Sequence, residues 1–323
     1  MKAFSTYLLF VLFLGISAAT TAQAADFPSK PIEIIVTYAP GGSTDTSARI
    51  TAPKASKILG QPIVVINKAG AGGALGYDQV AKSAPDGYTL VLYAINAVIL
   101  KAINPSLSFH PVQDFAPVSN LITQANILVV NPNSKITSVT QYVEAAKKSP
   151  GKVTFGSSGM GSSQHLSGEL FKRVAKVDMV HVPHKGSAPC VTALLGGHID
   201  SGFINAPDVM EQVRGGKLRA IGVTTAQRIV ELPSVPSIAE SGYPGFEVVS
   251  WMGICAPAKT PRPIVEKLAN AYKQVMEDPE VPGKMKTMGF IPTHMPPEVF
   301  SAWIKKEFEK FSVLAKEANI KME

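Results

Sequence analysis

The chain has 323 residues, and its 31 lysines and arginines outnumber 24 aspartates and glutamates, which gives a formal net charge of +7. The positive charge is scattered, without a basic stripe that aromatic residues interrupt, and this argues against nucleic-acid binding. The two cysteines exclude a disulfide-rich scaffold, while the length allows two domains with apolar cores.

Residues 1–24 have the pattern of a secretory signal. Lys2 is their only charge, an apolar core covers 7–16, and Ala22-Gln23-Ala24 is a small-x-small cleavage site. The apolar core is too short to span a membrane comfortably. We therefore expect an exported, soluble mature chain that begins near Ala25.

After this segment, apolar stretches rich in β-branched residues alternate with helical patterns, which indicates parallel sheets covered on both faces. The first group of predicted elements comprises strands at 32–38, 63–67 and 89–93 and helices at 46–59 and 74–83. The apolar run over 115–130 is longer than one strand needs, and we interpret it as a crossover to a second group. That group comprises helices at 138–148, 162–174, 187–195 and 207–214 and strands at 153–155, 179–182, 201–204 and 218–224. A long strand over 246–256 is the predicted return crossover, and two helices close the chain.

Two crossovers between two α/β groups predict a hinged, two-lobed clamshell. Each lobe is expected to be a mainly parallel sheet flanked by helices. The predicted lobe I consists of residues 25–124 plus 248–323, and the predicted lobe II of residues 125–247.

Two Gly/Ser-rich loops of the same construction follow strands of the two predicted lobes. The first contains Pro40, Gly41, Gly42, Ser43 and Thr44, and the second contains Ser157, Ser158, Gly159 and Ser162. Each leads into a helix, so each offers backbone N–H groups at the positive end of a helix dipole. Ligands of open α/β sheets bind beyond the carboxyl ends of strands. We therefore predict an anion held between the two loops.

Distinctive segments follow one another along the mature chain, among them APGGSTD at 39–45, NKAGAGG at 67–73, APDGYTL at 84–90, FGSSG at 155–159, GSSQHL at 161–166, HVPHKG at 181–186 and WMG at 251–253. Together they resemble the Bug-type solute receptors associated with tripartite tricarboxylate transporters. The resemblance implies a type II-like periplasmic binding protein that takes up a small organic carboxylate and delivers it to membrane subunits of the transporter. It also implies a monomer in the periplasm, without cofactor, metal or catalytic residues.

In such receptors one carboxylate is typically held by backbone amides, small hydroxyls and ordered water, with little help from Arg or Lys. Carried over to this chain, the resemblance implies a ligand site of Pro40, Gly41, Gly42, Ser43, Thr44, Asn96, Ser157, Ser158, Gly159, Ser162, His165, Ile204 and Asn205. His165 is expected to be either a ligand donor or a capping partner for its helix. Asp45 is expected to cap its helix or to fix its loop rather than to touch an anion.

Two departures from the family pattern bear on the ligand. Ile204 stands where relatives often carry Asp, and Ile95 and Ala97 are more apolar than the small hydroxyl residues common in the loop after the third strand. A buried ammonium needs an opposite charge or several acceptors. We therefore expect a dicarboxylate or an aromatic carboxylate to be favoured over an amino acid.

The rival function is a secreted α/β hydrolase that acts on a carboxylic ester. Its nucleophile elbow requires G-x-S-x-G, and the segments that begin at Gly41 and Gly156 both fail at the last position. His181 and His184 lack a third metal ligand at a motif-like distance, and the glycines of 70–76 only approach a dinucleotide fingerprint. The sequence leaves open whether Cys190 and Cys255 are free or bridged.

Overall fold

The computed structural model describes residues 27–317; the predicted secretory signal lies outside the described residues. In chain order the elements are β1 (Ile32–Val36), α1 (Ser43–Leu59), β2 (Ile63–Asn67), a 3-10 turn (Ala71–Gly73), α2 (Ala74–Ala81), β3 (Thr89–Ala94), α3 (Asn96–Ile103), β4 (Phe115–Val130), α4 (Val139–Lys148), β5 (Thr154–Ser157), α5 (Ser163–Ala175), β6 (Val180–Pro183), α6 (Ser187–Leu195), β7 (Ser201–Asn205), α7 (Ala206–Arg214), β8 (Arg219–Val223), β9 (Val249–Pro257), α8 (Arg262–Glu277), α9 (Glu280–Thr287), β10 (Ile291–Met295) and α10 (Pro297–Glu317).

Lobe I is built on β1, β2, β3, β9, β10 and the first part of β4. Strand β1 pairs in parallel with β2 and with β3, and β9 lies antiparallel between β3 and β4. Strand β10 pairs with the other edge of β4. In β1, four of the five side chains are buried, because helices cover both faces of this part of the sheet.

Lobe II is built on β5, β6, β7, β8 and the last part of β4. Strand β5 pairs in parallel with β6 and β7, while residues 126–130 of β4 lie antiparallel between β7 and β8. Two apolar clusters, one containing Phe155 and Phe203 and the other Ile127 and Ile204, fill the lobe.

The two lobes meet at a hinge in which Thr224 ties two strands together. Its amide donates to Asn126 O in β4, and its carbonyl accepts from the amide of Val248, just before β9. The two predicted crossovers therefore correspond to β4 and β9, the strands at which the chain passes between the lobes. The predicted lobe boundaries, at 124/125 and 247/248, remain a prediction.

The two-lobed α/β class is confirmed, with two corrections of detail. The sheets are mixed rather than mainly parallel, because β4, β8, β9 and β10 add antiparallel pairs beside the parallel strands. The loop predicted after β3 is helix α3, whose residues are nearly all buried; a buried helix of eight residues lacks the polar face that reveals helical periodicity.

Cys190 lies in α6 of lobe II and Cys255 in β9 of lobe I, and both are buried free thiols. Across residues 27–317, none of the helices combines the length and the apolar character that crossing a membrane requires.

Candidate functional site

The cleft between the lobes is lined by residues at the beginning of five helices. Gly42 and Thr44 belong to the start of α1, Asn96 to α3, Ser162 and Ser163 to α5, Ser187 to α6 and Asn205 to α7, and the lining is completed by Tyr38, Ala94, Ile95, Ser158, Ser250 and Met252. The first amides of a helix have no intrahelical acceptor, and the helix dipole makes this end positive. Five such ends at one small space create a positive potential.

The lining contains hydroxyl and amide side chains but no charged one. None of its thirteen residues is Lys, Arg, His, Asp or Glu. An anion that entered would meet backbone N–H groups and hydroxyls in a site with little water, where fixed dipoles act strongly. The cleft therefore offers an anion hydrogen-bond donors without any charged side chain in its lining.

The loop of lobe I is held in shape by Asp45. Its carboxylate accepts from the amide of Gly41 at 3.0 Å, from Arg49 Nε at 2.9 Å and from Asn67 Nδ2 at 2.9 Å. Burial alone would raise the pKa of Asp45, but these hydrogen bonds outweigh it and hold the pKa below its ordinary value. Asp45 thus fixes its loop, as the sequence predicted. The left-handed residue of the loop is Gly41, with φ +87°.

The loop of lobe II is held by its own hydroxyls and by a histidine pair. Ser157 Oγ lies 2.6 Å from His181 Nε2, and Ser162 Oγ donates to Gly159 O and accepts from the amide of His165. The rings of His165 and His181 lie 4.3 Å apart. His165 Nδ1 accepts from the amide of Gly161 at 3.3 Å, so His165 supports its loop.

The lobes are closed on each other. The amide of Ser43 in lobe I donates to Asp208 Oδ1 of lobe II, Ser43 Oγ donates to Asp208 Oδ2 at 3.2 Å, and Asn205 Nδ2 donates to Ser43 Oγ at 2.8 Å. The cavity that remains measures about 20 Å³, room for little more than one water molecule. Entry of any organic ligand therefore requires the lobes to separate.

The structure brings together six of the thirteen predicted site residues as cleft lining: Gly42, Thr44, Asn96, Ser158, Ser162 and Asn205. The other seven predicted residues do not line the cleft: Pro40, Gly41, Ser43, Ser157, Gly159, His165 and Ile204. Ser43 lies at the edge of the cleft, bound to Asp208, whereas Ser157, Gly159 and His165 shape the loop behind it.

Ile204 does not face the cleft. Its side chain is fully buried in the apolar cluster of lobe II with Ile127 and Val209. Ala97 is likewise buried in the core of lobe I, whereas Ile95 lines the cleft. The structural premise for Ile204 as a ligand selector is therefore wrong, because both faces of β7 are covered and only its last residue, Asn205, reaches the cleft.

Sequence reasoning missed Ser187, Ser250, Met252 and Asp208. A signal existed for Ser187, since Gly186-Ser187 is a third Gly-Ser helix start. No helix start marks Ser250 and Met252, which lie within the continuous apolar strand β9, although Met252 belongs to the distinctive segment 251–253. Among residues 27–317 no group of three or more His, Cys, Asp or Glu side chains could hold a metal ion.

The histidine pair makes the stability of the protein depend on pH. Burial lowers the pKa of His165 to about 4 and that of His181 to about 3, the latter helped by the proximity of His165. Because these values lie below that of an unfolded histidine, the stability present above about pH 6.5 is lost as the pH falls toward the folded values. We expect the free energy of unfolding to fall by on the order of 2 kcal/mol per histidine between about pH 7.5 and about pH 5.

Urea unfolding at the two pH values measures this loss. His181→Gln should reduce the pH dependence, while His198→Gln, which removes an exposed histidine of the same lobe, should leave it unchanged. An equal pH dependence in all three proteins would contradict the assignment.

The chain is similar to known proteins over almost its whole length. A family model described as the tripartite tricarboxylate transporter family receptor matches residues 47–320. Protein BugT of Bordetella pertussis is 35% identical over 316 residues, which cover 97% of this chain and 96% of BugT.

Two solved structures with named ligands have the same fold. The R. palustris protein with adipate has a TM-score of 0.87 and 32% identity, covering 91% of this chain and 99% of that one. MatC from Rhodopseudomonas palustris, with bound malate, has a TM-score of 0.86 and 30% identity, covering 89% of this chain and 99% of that one.

Proposed function

The chain belongs to the tripartite tricarboxylate transporter receptor family, and from this premise we propose that it captures a small organic carboxylate between its lobes and delivers it to membrane subunits of such a transporter. It is a solute-binding receptor of the periplasmic binding protein type and not an enzyme. The rival hydrolase is therefore set aside.

The observation that carries the carboxylate proposal is the convergence of five helix beginnings on a cleft without charged lining residues. Unpaired amides at the positive ends of helices favour an anion. A ligand that is only a cation would find no opposite charge in the lining, because the nearby Asp208 carboxylate is bound to Ser43 at the edge of the cleft. A carboxylate accepts charge-assisted hydrogen bonds from hydroxyl and amide donors of this kind.

Similar receptors support a dicarboxylate as the ligand. Adipate and malate, the ligands of the two structures named above, are both dicarboxylates. Two loops with helix beginnings, one in each lobe, give each carboxylate of such a ligand its own donors. An aromatic carboxylate stays a sequence-based prediction.

The setting of the protein is part of the proposal. Segment 1–24 would act as the export signal, with cleavage near Ala25, and the mature receptor would work in the periplasm as a monomer. One chain supplies both sides of the cleft, so ligand binding requires no second copy.

Binding without turnover is the expected behaviour of the mature protein. A thermal-shift screen of mono-, di- and aromatic carboxylates should identify a ligand that calorimetry shows to bind at about 1:1. NMR of the ligand after prolonged incubation should show it unchanged, and parallel assays with carboxylic esters should show no hydrolysis. Failure of every carboxylate to bind, or a chemically altered ligand, would overturn the proposal.

A further inference from the structure

Resting on the proposed function, we propose that Asp208 is a specificity-determining residue that selects carboxylates carrying a hydroxyl or an ammonium group on the carbon next to the carboxylate. The inference follows from the direction of the hydrogen bonds that close the cleft. It replaces Ile204 by Asp208 as the selector and reverses the expected rejection of amino acids.

The closing contact joins a donor of lobe I to an acceptor of lobe II. Ser43 offers its amide and its hydroxyl, both of which donate to the Asp208 carboxylate. Ser43 is the first residue of α1, so its amide lies at the positive end of a helix of 17 residues. The contact is an anion seated on a helix beginning, with the anion supplied by the protein itself.

Two further buried acceptors belong to the side chains of Asn205 and Gln124, which donate to Ser43. Ser43 Oγ donates its proton to Asp208, so it can only accept from Asn205 Nδ2 and Gln124 Nε2, at 2.8 and 3.4 Å. This fixes both amide groups with their oxygens turned away from Ser43. Asn205 Oδ1 and Gln124 Oε1 are buried and have no hydrogen-bond partner among the described residues. An unpaired buried acceptor is costly and calls for a donor.

Opening of the lobes separates the two sides of this contact. Because the closed cavity is far too small for an organic ligand, Ser43 and Asp208 must part when one binds. A ligand carboxylate can then take the place of Asp208 on Ser43. Asp208 is left without these donors and next to a second negative charge, which is unfavourable in a partly buried site.

A donor on the carbon next to the ligand carboxylate resolves this conflict. The carboxylate accepts from Ser43, while the hydroxyl or ammonium donates to Asp208, and the direct bond between the lobes becomes a bridged one. In the closed form, burial raises the pKa of Asp208 to about 6, against hydrogen bonds from Ser187 and Ser43 that lower it, and the group is largely ionised there at neutral pH. A donor from the ligand would take over the role of Ser43 and keep the group ionised. An ionised acceptor suits an ammonium as well as a hydroxyl.

The test uses ligands that differ only at this carbon. Calorimetry on the mature protein compares succinate with 2-hydroxysuccinate and 2-aminosuccinate, and propionate with its 2-hydroxy and 2-amino derivatives. In at least one of the two series, we expect the 2-hydroxy or the 2-amino acid to bind at least about tenfold more tightly than the unsubstituted acid. The reason is that a site built for a donor rejects an analogue without one. Asp208→Asn should weaken the preference for the ammonium, and the apolar Asp208→Leu should remove both preferences.

Asp178→Asn, at an exposed position of lobe II, is the matched control and should keep the preference. Equal or tighter binding of the unsubstituted acids by the parent protein would overturn the inference, even if the variants failed to fold, and would leave the proposed function intact. An unchanged preference in a folded Asp208→Leu protein would also overturn it. Failure of all carboxylates to bind would overturn both.

Discussion

Replacing Gly72 with alanine should raise the affinity for a carboxylate by about tenfold while both lobes stay folded, because it disfavours the closed form that must open before a ligand enters. A Cβ atom at Gly72 of lobe I would lie 2.3 Å from Met160 O of lobe II, and a backbone carbonyl cannot move aside as a flexible side chain can. The lobes would be held apart on the order of 1 Å or more, because a carbon and an oxygen normally stay more than 3 Å apart. The ligand-free protein would then rest in a more open form that admits a ligand.

Gly60 provides the matched control for this change. Gly60 and Gly72 have similar left-handed backbones, with φ +71° and +65°, but a Cβ atom at Gly60 would have no neighbour within 4 Å. Gly60→Ala should therefore show the same loss of stability, about 1–2 kcal/mol, with unchanged affinity. Calorimetry measures the affinity, and small-angle scattering without ligand should show a larger radius of gyration for Gly72→Ala than for the parent protein. Equal affinities of the two variants would contradict closure through this contact.

Replacing Thr44 with aspartate should abolish carboxylate binding without unfolding the protein. Thr44 is buried in the first turn of α1 and lines the cleft, so the new carboxylate would lie at the converging helix beginnings. A negative charge at a helix N-terminus is stabilising by about 0.3–1 kcal/mol, whereas a second anion in the same seat is repelled. We expect a loss of affinity of about 100-fold or more while the protein stays folded, because the core of each lobe is untouched.

Thr44→Asn has nearly the same shape as Thr44→Asp but no charge, and it should retain binding within about tenfold. Thermal melts and calorimetry on both variants separate stability from affinity. Tight binding by Thr44→Asp would place the anion elsewhere than at the beginning of α1.

The features that the sequence predicted well are those in which local chemistry decides the structure. The loops at Gly41–Ser43 and Ser157–Ser162 could be found because each combines small residues with a helix start. The role of Asp45 was predictable for the same reason, since its partners Gly41 and Arg49 lie within four residues.

The features that escaped prediction depend on contacts between distant segments. Ser43 and Asp208 are 165 positions apart, and their bond forms only when two independently folded lobes close. The interpretation of Ile204 was wrong because it compared only its position in the chain with the Asp of relatives. It did not consider which face of β7 the side chain occupies. Strand β7 is covered on both sides, so its interior residues are core and the cleft begins at Asn205.

The place of β9 in the sheet also fixes the order in which the receptor is completed. Strand β9 fills the gap between β3 and β4, although about 120 residues separate it from β4 along the chain. During synthesis, the strands of lobe II are all available before β9 exists, whereas lobe I has an open gap in its sheet until residue 257 has emerged. A nascent chain therefore acquires one finished lobe before it has a complete cleft, and the ability to retain a solute is the last property that it gains.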